Sequence, residues 1–313
     1  MGYTLCVLGC GTMGVAVLSG VLASLDSASD PTYPGPKWES HTPGTLTPAL
    51  AVSDPTLPSR FLACVSREES AKRLRELFFS LGGPGPGVEV CVANNVQAVQ
   101  QSDVILLCCK PQLAHTILGE PGLKDALEGK LLISILAGVT ILQLTAAVGP
   151  ETKVIRAMPN TPCKIREGMT VISSLPQSEG AEFDRRIILN IFSSIGRCRF
   201  LDEKHFDACT ALSGSGPAFA CIFLEAMADG GVMMGLPRAE ALELAAQTLQ
   251  GAARMTLQGN THPAQLKDAV TTPGGCTIAG LLALEDGRVR STIARAIQIA
   301  TERASELGQP SKN

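Results

Sequence analysis

Residues 3–14 read YTLCVLGCGTMG, and the reading of this stretch decides the fold. Tyr3–Leu8 is an apolar run of strand length, and Gly9, Gly11 and Gly14 follow it at once in the spacing GxGxxG. In such a strand-to-helix turn the first glycine permits the tight bend and the second lets the backbone approach a pyrophosphate. The third permits close helix–strand packing, and the helix N-terminus faces the phosphates. A glycine-rich turn without a ligand is the bland alternative; a place directly after a strand favours the dinucleotide reading. Cys10, Thr12 and Met13, which lie between the glycines, join the expected cofactor contacts.

Working outward, short strand-like runs alternate with helical patterns through the first half, as βαβ units with a parallel sheet do. The expected strands are Tyr3–Leu8, Phe61–Val65, Val88–Ala93, Val104–Cys108, Leu131–Ile135, Lys153–Ala157 and Met169–Ile172. Runs such as ILLCC and LLISIL are apolar on both faces, as strands covered above and below must be. The stretch 29–59 holds seven prolines and no periodicity and reads as an exposed insertion. It carries Tyr33, Trp38 and His41.

From about Ser178 onward strand signals vanish and apolar residues recur with helical period, and Gly196 behind the first such segment reads as a C-cap. The segment from Gly216-Pro217, entered through the small residues SGSG, is apolar almost all round. Such a helix must be buried, in its own domain or against a partner chain. Met227, Met233 and Met234 read as core. The expected fold class is therefore α/β: a Rossmann-like, mostly parallel sheet with helices on both faces over 1–176, then an all-α unit over 177–313.

Composition narrows the function. The 313 residues carry a formal net charge of -3 and are 4% aromatic, so neither a basic field nor a base-stacking surface points to nucleic acid or to an anionic membrane. No apolar run is expected to reach membrane-spanning length. Eleven cysteines stand without a CxxC pair or a zinc spacing, so no metal is expected. An odd count without a secretory signal points to reduced thiols in the cytoplasm.

The second strand ends in Ser66 and Arg67, where an NAD site wants a carboxylate for the ribose hydroxyl. Serine and arginine suit a 2′-phosphate, which favours NADPH, while Glu68 and Glu69 keep NADH possible. Pairing of Arg67 with one of those glutamates is the alternative. Lys110-Pro111 and the turn at Ala137 fall at the carboxyl edge of the sheet, where ligands of such sheets lie. Asn160 can bond a carboxamide or shape its own turn, with equal support. Glu225 and Asp229 are better read as solvated than as an acid/base pair, and the histidines have no partner motif.

Residues 270–278, VTTPGGCTI, contain nothing that titrates near neutrality except a thiol. Small residues before a helix leave N–H groups free for a small anion, although helix capping by threonine explains them equally well.

Taken together, VLGCGTMG, CCKP, MPNTP, ALSGSGPAFACIFLEAMADGGVMMGLP and LKDAVTTPGGCTI resemble the pyrroline-5-carboxylate reductase family. The resemblance runs from Tyr3 to Leu307 apart from the insertion. It implies reduction of the cyclic C=N of 1-pyrroline-5-carboxylate to L-proline by NADPH or NADH. It places the dinucleotide over Gly9–Gly14, along Ser66, Arg67, Asn95, Cys108, Lys110, Pro111 and Ala137. It places substrate at Thr272, Gly274, Gly275, Cys276 and Thr277, with the Thr277 hydroxyl facing the imine nitrogen as the catalytic group. It also implies a homodimer through the C-terminal helices, which can assemble further into rings. Two features depart from the family's pattern: the length of the insertion, and Ala269, where some relatives place an asparagine near the cofactor. A β-hydroxyacid dehydrogenase has a similar layout and wants a catalytic lysine, for which Lys267 is the candidate. A non-catalytic NADP sensor has no need of the TPGG loop.

Overall fold

The computed structural model describes residues 2–28, 54–175, 180–259 and 261–307. Most of the proline-rich insertion, with Tyr33, Trp38 and His41, lies outside the described residues.

Eight strands form one sheet: β1 (Tyr3–Leu8), β2 (Pro58–Val65), β3 (Glu89–Val92), β4 (Val104–Leu107), β5 (Leu131–Ser134), β6 (Lys153–Met158), β7 (Gly168–Ser173) and β8 (Gly196–Leu201). Their order is β3-β2-β1-β4-β5-β6-β7-β8. The first six run parallel, β7 is antiparallel to β6, and β8 is parallel to β7. The chain winds outward from β1 in one direction and then restarts at β4 on its other side. The carboxyl ends of β1 and β4 therefore flank a topological switch point, the place where such sheets bind ligands.

Both faces of the sheet are covered, as the two-sided apolar runs require. Leu5 and Val7 point into one core with α1 (Thr12–Ala28), α2 (Glu68–Leu81) and Ile187, Ile188, Ile191 and Phe192 of a later helix. Cys6 and Leu8 point into the other, with α3 (Asn95–Gln100), α4 (Ala114–Leu118), α5 (Leu123–Leu127) and α6 (Ile141–Val148). The alternation along β1 is the period-two consequence of the pleat.

The expectation that strands end near Ser178 is corrected. After α7 (Ala181–Ser193) the chain returns to the sheet as β8. Gly196 is not a helix C-cap: it pairs with Gly168 across β7 and β8, and a Cβ there would lie 2.0 Å from the Gly168 carbonyl oxygen. Two strands meet this closely only through glycine. The arginines of GRCRFL hid the strand, since it lies at the sheet edge; Arg185 of α7 stacks over Phe200 at 4.2 Å to the ring centroid.

Beyond β8 the chain is helical: α8 (Phe206–Cys209), α9 (Gly216–Met233), α10 (Arg238–Gly259), α11 (Pro263–Ala269), α12 (Cys276–Asp286) and α13 (Val289–Leu307). The SGSG segment is not a loop but a π turn over Thr210–Gly214, closed by the Ser215 N–H on the Thr210 carbonyl at 2.9 Å. Helix therefore runs from Glu203 to Met233, long and apolar enough by length and composition to cross a membrane, contrary to the sequence expectation. The four small residues suggested a break that the π turn bridges. Within one chain α9 is poorly covered: Ile222 is 64% exposed, Met233 81% and Met234 79%, so these methionines are not core of this chain. α9 packs along α10, and α13 packs back on α8 and the π turn.

Candidate active site

The three glycines of the first turn are held by three different constraints. Gly9 has φ +74°, and a Cβ on it would lie 2.9 Å from the backbone N and Cα of Cys109. Gly14 fits α1 against the sheet, since its missing Cβ would sit 2.9 Å from Val7 Cγ1 and 3.3 Å from Cys108 Cβ. Gly11 differs: the nearest atom to its missing Cβ is the Gly9 carbonyl oxygen at 3.9 Å. Two glycines are thus required by the protein's own packing, and the middle one faces open space. That combination fits a pyrophosphate lying over the turn at the start of α1. The Cys10 N–H donates to the Cys64 carbonyl at 2.9 Å, which pins the turn to the end of β2.

Thr12 is exposed and Met13 is half-buried against the core. Burial pushes the Cys10 thiol up to about 12. Burial, with Cys10 and Cys109 alongside, also holds the Cys108 thiol well above the ordinary value. Both remain protonated at neutral pH and serve as small packing groups, not nucleophiles.

Ser66 and Arg67 stand exposed where β2 ends and α2 begins. Arg67 does not pair with its neighbouring glutamates: Glu68 is engaged by Arg75 at 2.7 Å, and among the described residues no carboxylate meets the Arg67 guanidinium. Asn95 opens α3 and donates from Nδ2 to Glu120 at 2.8 Å. Cys108, the exposed Lys110 and Pro111 follow β4 at the switch point, and the Ala137–Gly138 turn follows β5, with Gly138 at φ +77°. These residues share the carboxyl edge of the sheet.

Asn160, expected among the cofactor contacts, is engaged within the chain. Its Oδ1 accepts the Met169 N–H at 2.8 Å, and its Nδ2 donates to the Ser213 carbonyl at 3.1 Å. The carboxamide joins β7 to the π turn, which is a structural use of both its ends.

The TPGG stretch forms a tight turn. The Gly275 N–H donates to the Thr272 carbonyl at 3.1 Å, with Pro273 and Gly274 (φ +67°) at the central positions, and Gly275 N-caps α12 without any side-chain cap. A Cβ on Gly275 would lie 2.4 Å from Thr272 Oγ1. The Cys276 thiol is exposed, and the half-buried Thr277 hydroxyl has no hydrogen-bond partner among the described residues. No hydrogen bond or ion pair joins this turn to the sheet among the described residues. Among its described residues, one chain alone therefore does not bond the loop to the glycine turn. The alternative roles find less support in geometry: Lys267 is paired with Asp268 at 2.7 Å, and Asp229 with Arg238 at 2.6 Å.

One group escaped the sequence reading. Glu203 accepts from the Ile141 N–H at 2.7 Å and from Arg156 Nη1 at 2.8 Å, and the buried Arg156 guanidinium lies over the Phe206 ring at 4.7 Å. No local pattern signals this link, because its members are drawn from α6, β6 and the entry to α8.

A family model for pyrroline-5-carboxylate reductase dimerisation matches residues 203–307. A second, for NADP oxidoreductase, coenzyme F420-dependent, matches residues 45–138. The chain is 48% identical to a pyrroline-5-carboxylate reductase of Lophium arboricola, covering 98% of this chain and 93% of the relative. The chain belongs to the pyrroline-5-carboxylate reductase family. A pyrroline-5-carboxylate reductase of Schizosaccharomyces pombe is 46% identical over 97% of this chain and 99% of its own. The crystal structure of the Plasmodium falciparum pyrroline carboxylate reductase with NADP bound shares the fold, with TM-score 0.74, 28% identity and 98% of each chain covered. The fold expected from the glycine turn and the helical second half is thus that of pyrroline-5-carboxylate reductases, and dimerisation is assigned to the helices whose apolar faces stand open here.

Proposed function

We infer that this chain reduces 1-pyrroline-5-carboxylate to L-proline, the last step of proline synthesis, with NADPH as the preferred donor and NADH as the alternative. The observation that carries this is the relation to pyrroline-5-carboxylate reductases over nearly the whole chain. The open space over Gly11 and the uncapped start of α12 support it.

When bound, the dinucleotide supplies the hydride, and the chain's work is to bind, orient and exclude water. The turn Gly9–Gly14, with Cys10, Thr12 and Met13, holds the pyrophosphate. Ser66 and Arg67 hold the 2′-phosphate, and Asn95, Cys108, Lys110, Pro111 and Ala137 border the crevice. The Cys276 and Thr277 N–H groups take the substrate carboxylate, with Thr272, Gly274 and Gly275 shaping the turn that frees them. The Thr277 hydroxyl bonds the imine nitrogen and aligns it, and solvent supplies its proton. An imine so aligned is electrophilic without a strong protein base, which accounts for a substrate loop lacking acid, base and histidine.

The chain self-associates through residues of the dimerisation unit. The finer assignments are a homodimer through α9 and α10, a higher ring, no membrane or nucleic-acid partner, and a cytoplasmic place in keeping with eleven free thiols. We set the division between the units after Leu201, where the sheet ends, and not at 176; substrate binding then belongs to the helical unit.

The test is NADPH oxidation with 1-pyrroline-5-carboxylate, beside NADH and small 2- and 3-hydroxy acids. Activity confined to the hydroxy acids refutes the assignment.

A further inference from the structure

We propose that Glu203 is a positioning residue that ties the start of the dimerisation unit to the cofactor edge of the sheet. The inference rests on the dinucleotide reading of that edge given above. Glu203 stands two residues after β8 ends, at the first position of the matched dimerisation segment. Its Oε1 is shared between two groups of the sheet unit, the Ile141 N–H at 2.7 Å and Arg156 Nη1 at 2.8 Å.

The two bonds act in different directions. Ile141 is the first residue of α6, and the four residues before it, Ala137–Thr140, end the connection that leaves the carboxyl end of β5. A carboxylate at a helix N-terminus satisfies a free N–H and the helix dipole together. Glu203 therefore fixes the entry to α6, and with it the Ala137–Gly138 turn, from outside that segment. Thr140 and Gln143 supply the local capping box, so the helix does not need Glu203 in order to form. What Glu203 adds is a reference to another part of the molecule.

The Arg156 side supplies that reference. Arg156 is 4% exposed on β6 and is covered by the ring of Phe206, the first residue of α8. α8 continues through the π turn into α9, and α13 packs on α8 and on the π turn. One carboxylate thus couples the turn that borders the cofactor crevice to the base of the helices that carry self-association and the substrate loop. Glu203 touches neither ligand; it acts through the Ile141 N–H and through Arg156.

Two substitutions at one position isolate this role. Ile141→Pro removes the N–H that Glu203 accepts. Proline is tolerated at the first helical position, and Thr140 already has the extended backbone (φ -81°, ψ 159°) that a following proline prefers. Ile141→Ala loses the same side chain and keeps the N–H. NADPH affinity of each full-length protein is read by cofactor fluorescence without substrate, with melting temperature and sedimentation alongside. We expect Ile141→Pro to weaken NADPH binding roughly 3- to 30-fold, the range of couplings carried by a linking residue, while Ile141→Ala stays within about twofold. Glu203→Ala should match Ile141→Pro, and Glu203→Gln, which can still accept from Ile141, should recover most of the loss. Equal affinities for the proline and alanine variants overturn the proposal, whether both are weakened or neither is. If Glu203→Ala fails to fold, the Ile141 pair still decides. Wild-type protein that does not bind NADPH refutes the cofactor reading itself, a separate result.

Discussion

Alanine at Gly9 and at Gly11 should have opposite effects two residues apart. At Gly9 the added methyl meets the Cys109 backbone at 2.9 Å, about 1 Å inside normal carbon contact, on a residue at φ +74°. Overpacking of about 1–3 kcal/mol and a left-handed penalty of about 1 kcal/mol sum to roughly 2–4 kcal/mol of lost stability. Spread over the unfolding entropy of a chain this long, that is a fall of roughly 3–6 °C in Tm. At Gly11 the methyl has no protein atom nearer than 3.9 Å, and its φ lies outside the left-handed region. Gly11→Ala should leave the cofactor-free Tm unchanged or slightly raised, because it restricts the unfolded chain. The same methyl projects where the pyrophosphate is placed, so NADPH binding should weaken by roughly 10- to 100-fold. Differential scanning fluorimetry without ligand and fluorescence titration with NADPH separate the two effects. A Gly11→Ala protein that melts as low as Gly9→Ala, or that binds NADPH like wild type, refutes the reasoning.

Arg67→Ala should raise KM for NADPH by roughly 10-fold or more and leave that for NADH nearly unchanged, as loss of a charge-assisted bond to the 2′-phosphate requires; equal changes refute it. Thr277→Ala should lower kcat/KM by roughly 10- to 100-fold with Tm unchanged, since the hydroxyl has no partner to lose among the described residues. An unaltered kcat/KM removes Thr277 from the mechanism. Asp54 predicts an acid limb in stability. Burial would raise its pKa, but hydrogen bonds from the Thr56 hydroxyl and N–H and the Arg186 guanidinium outweigh it and hold the carboxyl below the usual range. A depressed folded pKa contributes stability above the unfolded value near 3.9, and that stability is lost as pH falls through the folded value. Asp54→Asn should flatten urea midpoints measured between about pH 5 and 2, and an unchanged slope refutes the assignment.

The parts of the fold legible in sequence were those set by short-range pattern. The glycine spacing placed β1 and α1, and two-sided apolar runs placed β4 and β5, because helices cover both faces there. β8 was not legible, since its two arginines alternate as an exposed edge and its first glycine mimics a helix stop. The π turn was hidden likewise, because serine and glycine imitate a loop wherever tertiary packing holds them helical. At the site, strand-end positions were readable because strand order fixes which ends meet at the switch point. The internal bonds of Asn160 were not, as a carboxamide carries no mark of which partner it will find. Glu203 was invisible because its partners lie 62 and 47 residues away.

Dimerisation through the open apolar flank of α9, as proposed above, makes part of the stability of this protein a bimolecular quantity. Melting temperature should climb with subunit concentration, and dilution acts on the helical half as a mild denaturant. During synthesis, a newly made chain carries this flank bare until it meets a second copy, so the search for a mate is part of folding. In a cell producing two versions of the chain, mixed pairs form by the same faces, and a flaw in one subunit is shared with a sound one.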